Sequence, residues 1–156
     1  MRPTPDRLRE TLFNWLGQDL DGRTCLDLFA GSGALGFEAA SRGARHVVAV
    51  EQDGTVYRAL HETKDMLSAQ QVELRRGDAL AFLKADARSF DVVFLDPPFN
   101  FGWLPKLLPL LPAHLEVDAR IYVEAEKPVT LPDGFELLRQ AKAGQVHGLL
   151  IKYAGP

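Results

Sequence analysis

Short apolar stretches alternate along the chain with segments in which apolar residues recur at helical spacing. The apolar stretches are residues 24–30, 46–51, 72–78, 90–96 and 120–126. Each stretch is typical of a strand that is buried on both faces of a sheet. The helical spacing is found at residues 34–42, 53–69 and 103–111. Strands that alternate with helices in this way predict an α/β protein with a mainly parallel sheet.

The two ends of the chain carry different patterns from its middle. Near the start, Thr4 and Pro5 can begin a helix, because threonine caps helices and proline is favoured at the first helical position. This helix ends at Gly17, and its apolar stripe consists of Leu8, Leu12, Phe13, Trp15 and Leu16. Near the other end, residues 135–142 and 146–153 alternate between polar and apolar, which predicts an antiparallel pair of strands.

A glycine turn joins the first predicted strand to the helix that follows it. Gly31, Gly33 and Gly36 form the pattern G-x-G-x-x-G, which is weak evidence alone because dinucleotide-binding proteins share it. Asp27 lies inside the apolar strand just before this turn. A carboxylate there would repel a pyrophosphate but suits a ligand with an ammonium group, such as S-adenosylmethionine. The alternative is an aspartate that caps the turn or is satisfied within the core.

Two further acids follow the next two predicted strands. Glu51 ends the second strand, 20 positions after Gly31, where a carboxylate can accept both hydroxyl groups of a ribose. Asp78, followed by Ala79, ends the third strand and can bind the amino edge of an adenine. Ligands of open α/β sheets bind at the carboxyl ends of the strands, so these acids match one nucleoside ligand. We predict that the cofactor is bound by Asp27, Phe29, Ala30, Gly31, Ser32, Gly33, Glu51, Gln52, Asp78, Ala79 and Asp96.

The fourth predicted strand ends in Asp96, which is followed by Pro97, Pro98 and Phe99. Two prolines stiffen the backbone and remove two N–H donors, which leaves carbonyl groups facing outward. Together with a carboxylate and a flat aromatic ring, they form a receptor for a planar base with an exocyclic amino group. We predict that the Asp96 side chain and the Pro97 carbonyl accept the amino hydrogens, while Phe99 stacks on the base. The alternative is an ordinary turn after a strand.

Length, composition and charge narrow the classes of protein to which the chain can belong. A chain of 156 residues predicts a single domain over 1–156, with a leader and helix at 1–19 and a core at 20–156. The net charge of −3 excludes a surface that is basic throughout, so a nucleic acid would contact a local patch. The single Cys25 lies in a predicted strand and fits a reducing, cytoplasmic setting. We see no membrane span, signal peptide or metal-ligand spacing.

Three stretches carry a resemblance to a known family. Residues 2–16, 26–36 and 96–99 resemble the bacterial 16S ribosomal RNA guanine-N2 methyltransferases of the RsmD type. The tetrapeptide at 96–99 is shared by amino methyltransferases in general, and the leader that begins at Arg2 narrows the family. A doubly wound sheet ending in an antiparallel pair is also typical of methyltransferases and unusual for NAD domains.

The resemblance implies a Rossmann-like class I fold with a seven-stranded, mostly parallel sheet whose last strand is antiparallel. It implies S-adenosylmethionine as methyl donor and guanine N2 of 16S rRNA, in a partly assembled 30S subunit, as acceptor. We expect a cytoplasmic monomer in which Arg2, Thr4, Arg7, Pro98 and Phe99 contact the RNA. Family members usually carry a basic segment before the leader, whereas here Met1 directly precedes it. We therefore expect weak affinity for free RNA.

Other functions stay open at this point. The nearest is a methyltransferase that acts on adenine N6 in DNA or on a protein glutamine, although glutamine enzymes prefer asparagine at the position of Asp96. An NAD-dependent oxidoreductase would use the glycine turn, but Asp27 argues against it. A protein that binds the cofactor without catalysis is the third alternative. An assay with labelled donor on 30S particles, DNA and protein separates these functions.

Overall fold

The structure, a computed structural model, describes residues 4–17, 19–98 and 102–155. Its strands are β1 (Thr24–Asp27), β2 (His46–Glu51), β3 (Val72–Arg76), β4 (Phe90–Leu95), β5 (Leu115–Ala125), β6 (Phe135–Ala143) and β7 (Val146–Tyr153). Its helices are α1 (Thr4–Leu16), α2 (Ala34–Ser41), α3 (Gly54–Leu67), α4 (Ala79–Ala85) and α5 (Trp103–Leu107), and a 3₁₀ helix follows α5 (Leu108–His114).

The seven strands form one sheet in the order β3-β2-β1-β4-β5-β7-β6. Neighbouring strands from β3 to β5 are parallel, and β7 lies antiparallel between β5 and β6. The strand order reverses direction between β1 and β4, which is the point where open α/β sheets bind ligands. The predicted fold, a seven-stranded and mostly parallel sheet whose last strand is antiparallel, is confirmed.

Both faces of the sheet are covered, which explains why the strands are apolar stretches without alternation. One face packs against α1, α2 and α3, and its core contains Leu12, Phe13 and Leu60. The other face packs against α4, α5 and the 3₁₀ helix, and its core contains Phe82 and Leu111. No helix in the described residues is long and apolar enough to cross a membrane.

The element boundaries depart most from the sequence prediction at four places, one of which is the fifth strand, since β5 begins at Leu115 and not at residue 120. The first strand stops at Asp27, because the chain bends away over the next residues to form the turn. The short helix α4 was not predicted. The predicted helix at 103–111 changes to a 3₁₀ helix at Leu108, where Pro109 and Pro112 lack the N–H groups that an α-helix requires.

Candidate active site

A cavity of about 430 Å³ opens at the carboxyl ends of β1, β2 and β4. The predicted site residues that line it are Asp27, Phe29, Ala30, Gly31, Ser32, Glu51, Gln52, Ala79, Asp96, Pro97 and Pro98. The structure thus brings together side chains from four separate segments of the sequence. Residues of the lining that the sequence did not indicate include Leu28, Leu35, Gly77 and Trp103.

The glycine turn shapes one wall of this cavity. Gly31 has a φ of 55° and Gly33 a φ of 84°, both in the left-handed region that favours glycine. The Gly33 N–H donates to the Ala30 carbonyl over 2.8 Å, which closes the turn before α2 begins. Gly33 itself is buried behind the turn, where a Cβ atom would overlap the Phe37 ring, and it does not line the cavity.

Asp27 lies at the bottom of the cavity with only 1% of its surface exposed. Among the described residues its Oδ1 atom has no hydrogen-bond partner. Burial raises its pKa to about 7, while N–H groups of Phe29 and Gly36 act in the opposite direction and the charge of Glu51 adds to the rise. A buried carboxylate oxygen without a partner is strongly suited to an incoming cation, because binding would remove the cost of leaving it unpaired.

Glu51 connects the end of β2 to the glycine turn. One oxygen of its carboxylate accepts the Gly31 N–H over 2.9 Å, and the other accepts the Asp53 N–H over 2.9 Å. Each carboxylate oxygen can accept more than one hydrogen bond, so both remain able to bind ligand hydroxyl groups. Glu51 therefore holds the turn in place and also faces the cavity.

The Asp78 side chain does not line the cavity, although it was predicted to bind the amino edge of the adenine there. Its carboxylate caps α4 by accepting the Ala81 N–H over 3.0 Å, and it lines a neighbouring groove rather than the cavity. The adjacent Gly77 and Ala79 do line the cavity. An aspartate between a strand and a helix is a common N-cap, and here the Asp78 carboxylate binds the backbone of the helix that it precedes.

Pro97 and Pro98 lie between the first cavity, which Asp96 also lines, and a second one of about 500 Å³. The two prolines and Trp103 line both cavities, and the second is bounded on its far side by Glu124 and Val129, among others. The Trp103 ring meets the Phe29 ring edge to face, with centroids 5.2 Å apart. Phe99 lies outside the described residues.

Two residues on β5 complete this region, and the sequence did not indicate them as site residues. The Tyr122 hydroxyl donates to Glu124 Oε1 over 2.7 Å, and both side chains are buried. Burial, the neighbouring Glu124 and Asp27 together raise the pKa of Asp96. The sequence feature that could have indicated Glu124 is its place near the end of the fifth apolar stretch, because the other predicted acids also lie at the carboxyl ends of strands.

The predicted RNA contacts near the start of the chain lie apart from both cavities or outside the described residues. Arg2 is not among the described residues, and of Thr4 only the backbone, which begins α1, is described. Arg7 is half-buried on α1 and lines neither cavity. The neighbouring Arg9 forms an ion pair with Asp6 over 3.0 Å.

The sheet order, the antiparallel β7 and the acid-lined cleft at the strand ends define a class I methyltransferase fold. Within this class, the chain belongs to the family described as conserved hypothetical protein 95, whose sequence profile matches residues 1–152. This match, together with the relatives described next, confirms the family resemblance predicted from the sequence.

Named relatives share most of the chain. Ribosomal RNA small subunit methyltransferase D of Haemophilus influenzae is 45% identical over 154 residues, which cover 94% of this chain and 80% of that protein. The protein of the same name from Escherichia coli is 42% identical over 151 residues, covering 94% of this chain and 76% of that protein. A solved E. coli structure named as the methyltransferase yhhF superposes with a TM-score of 0.91 at 40% identity, covering 100% of this chain and 89% of that one.

The fold implies S-adenosylmethionine as methyl donor, and the cavity fits this molecule. Its amino-acid part carries an ammonium group, for which the unpartnered Asp27 oxygen is the matching acceptor. Its ribose hydroxyl groups match the Glu51 carboxylate, which faces the same cavity. The turn at Gly31 lets the ligand approach the backbone closely.

Proposed function

We propose that this protein transfers a methyl group from S-adenosylmethionine to the exocyclic N2 of a guanine in 16S rRNA. The names of its relatives support a small-subunit rRNA as substrate. The observation that carries the reaction is the segment from Asp96 to Pro98, whose two prolines border both cavities while Asp96 faces the first. A group bound in the second cavity would meet the donor at this segment. We propose that the protein acts as a monomer in the cytoplasm, on partly assembled 30S subunits.

The first cavity binds the donor in this proposal. Asp27 pairs with its ammonium group, and Glu51 accepts hydrogen bonds from its ribose. Backbone groups from Phe29 to Ser32 border the amino-acid part, and Gln52, Gly77 and Ala79 border the nucleoside part. The sulfonium of the donor already activates the methyl group, so alignment is the main task left to the protein.

The second cavity binds the acceptor base. Pro98, Trp103 and Val129 give it flat apolar surfaces on which a planar base can stack. The amine of guanine is a poor nucleophile, because its lone pair is conjugated with the ring. Acceptors on its two hydrogens favour a pyramidal nitrogen whose lone pair points at the methyl group, and the Asp96 side chain and Pro97 carbonyl supply them. Phe99 remains a predicted stacking residue.

A labelling assay tests this function. Immature 30S particles, free 16S rRNA and duplex DNA are incubated with donor labelled in the methyl group, and digested nucleosides are identified by mass spectrometry. We expect N2-methylguanosine from the 30S particles. The variant Asp96→Ala serves as inactive control and Glu116→Gln, an exposed change at the opposite end of β5, as active control. Label in N6-methyladenosine or in protein would contradict the proposed acceptor, and donor binding without any transfer would contradict catalysis.

A further inference from the structure

Two acids, the half-buried Asp96 and the buried Glu124, lie at the ends of β4 and β5. Phe94 pairs with Tyr122 and Leu95 with Val123 in the parallel register, so the next residues, Asp96 and Glu124, follow side by side. Only 9% of Glu124 is exposed, and it lies close enough to Asp96 to raise the pKa of that carboxyl. Two neighbouring carboxylates repel each other when both are ionised, which favours a state in which the pair shares one proton.

The hydrogen bonds indicate which carboxyl holds this proton. Tyr122 donates its hydroxyl hydrogen to Glu124 Oε1, so Glu124 acts as acceptor on that side. The Gly148 backbone lies close to this hydroxyl. A Cβ atom added to Gly148 would be 3.0 Å from Tyr122 Oη and 3.2 Å from Leu8 Cδ2, so a side chain at this position would crowd the hydroxyl. A hydrogen bond to a carboxylate favours its charged form, while burial and the nearby acids raise the pKa of Asp96, so we assign the shared proton to Asp96.

The other charged groups around the pair come from several elements. Asp27 on β1 is close enough to raise the pKa of Asp96 further. On β7, Gly148 pairs with Glu124 and His147 with Ala125, which places His147 next along the neighbouring strand. Arg7 is half-buried on α1, beside the Leu8 that packs near Tyr122. Glu124 also lines the second cavity, through which a proton can leave to water.

We propose that Glu124, oriented by Tyr122, is a positioning residue that receives, through Asp96, the proton lost by the acceptor amine. This inference rests on the proposed function. As the N–C bond forms, the S–C bond of the donor breaks and its electron pair stays on sulfur. The methylated nitrogen then carries one proton too many. That proton passes to the free oxygen of Asp96 while the proton already on Asp96 passes to Glu124, so the pair ends neutral.

The pH dependence of methyl transfer tests this relay. Single-turnover rates on immature 30S particles, at saturating donor, are measured from acid to mildly alkaline pH for the unaltered protein and Glu124→Gln. The relay requires a pair that has lost one of its two protons. Loss of this proton is easier than ionisation of a single acid at the same place, because the two carboxyls share the proton that remains. In Glu124→Gln, the half-buried Asp96 must ionise alone. We expect the acid limb of the profile to move up by about one pH unit.

Two further variants accompany this comparison. Tyr122→Phe removes only the hydroxyl that stabilises ionised Glu124, so the acid limb should move upward by a smaller amount. Glu116→Gln, on the same strand and exposed, should leave the profile unchanged. A Glu124→Gln profile that stays in place or moves to lower pH would overturn the relay. A shift of the profile to lower pH would mean that Asp96 must itself be ionised before transfer.

A carboxyl titration separates failure of the relay from failure of the proposed function. Selective ¹³C labelling of aspartate and glutamate carboxyls allows the protein without substrate to be titrated by NMR. We expect Asp96 and Glu124 to titrate in two coupled steps that become one step in Glu124→Gln. Independent titration of the two carboxyls would overturn the shared proton, whatever the activity. Coupled titration in a protein that methylates no RNA would instead contradict the function.

Discussion

Replacement of Asp27 by asparagine should make the protein more stable and a poorer binder of its donor. Burial raises the pKa of Asp27 from 3.8 to about 7. In the unfolded chain this carboxyl ionises near its ordinary pKa, whereas the folded protein holds the proton until about pH 7. Folding therefore binds a proton over this interval, so the stability falls as the pH rises through it and is lowest above about 7.

The size of the effect follows from the same difference. A rise of roughly three pH units, at about 1.4 kcal/mol each, corresponds to an upper limit of roughly 4 kcal/mol. Asparagine removes the charge but leaves its own amide partly unpaired, which costs about 1–3 kcal/mol. We therefore expect Asp27→Asn to raise the free energy of unfolding by about 2 kcal/mol at mildly alkaline pH, from the balance of these effects. At acid pH, where Asp27 is protonated in both states, the gain should disappear.

Urea unfolding at the two pH values measures the stability, and calorimetry with S-adenosylhomocysteine measures the affinity. Loss of the charge should weaken binding by about 1.5–3 kcal/mol, the value of a hydrogen bond to a charged group. The unaltered protein should release a proton on binding below pH 7, which two buffers of different ionisation enthalpy reveal. An Asp27→Asn variant with no gain in stability at alkaline pH, or with unchanged affinity, would refute the reasoning.

Three other changes test separate parts of the site. Glu51→Ala should weaken binding of S-adenosylhomocysteine by about 1.5–3 kcal/mol in calorimetry, and unchanged affinity would remove Glu51 from the donor site. Asp96→Ala should leave this affinity nearly unchanged while single-turnover methylation falls by about 100-fold or more, and near-normal turnover would contradict its role. Gly33→Ala should lower the free energy of unfolding by about 1–3 kcal/mol, through its φ and the Phe37 ring. Gly22→Ala, which has a φ of 77° and open space around it, is the matched control, and an equal loss in both would exclude the clash.

The central strands could be predicted because burial on both faces makes them apolar stretches, whereas the last two were predicted from their alternation. The second strand, β2, has the bounds that the pattern predicts, and Asp53, the first residue of the predicted helix at 53–69, caps α3. The short helix α4 was missed because it has only two turns and its periodicity is too brief to recognise. Its N-cap, Asp78, shows the remaining difficulty, since an acid after a strand can serve either a helix or a ligand.

The candidate site could be predicted only where one segment contains both the strand and the functional group. Asp27 and Asp96 each lie at the end of an apolar strand, and the structure places both at the cavity. Glu124 and Tyr122 were missed because their contact with Asp96 depends on the register between β4 and β5. Trp103 reaches the cavity from a helix whose orientation the pattern does not determine. Register and helix orientation are tertiary properties, which local spacing does not encode.

The packing of α1 has a consequence for the order in which the chain can fold during synthesis. This helix precedes every strand, yet it packs mainly against β6 and β7, and Leu8 lies close to Gly148. A ribosome releases the chain from its start, so the apolar stripe of α1 emerges long before the strands that cover it. The strands from β1 to β4 can pair earlier, because their partners are nearer in sequence. Closure of α1 over the sheet is therefore a late event, and a nascent chain halted before β7 exposes this stripe to chaperones.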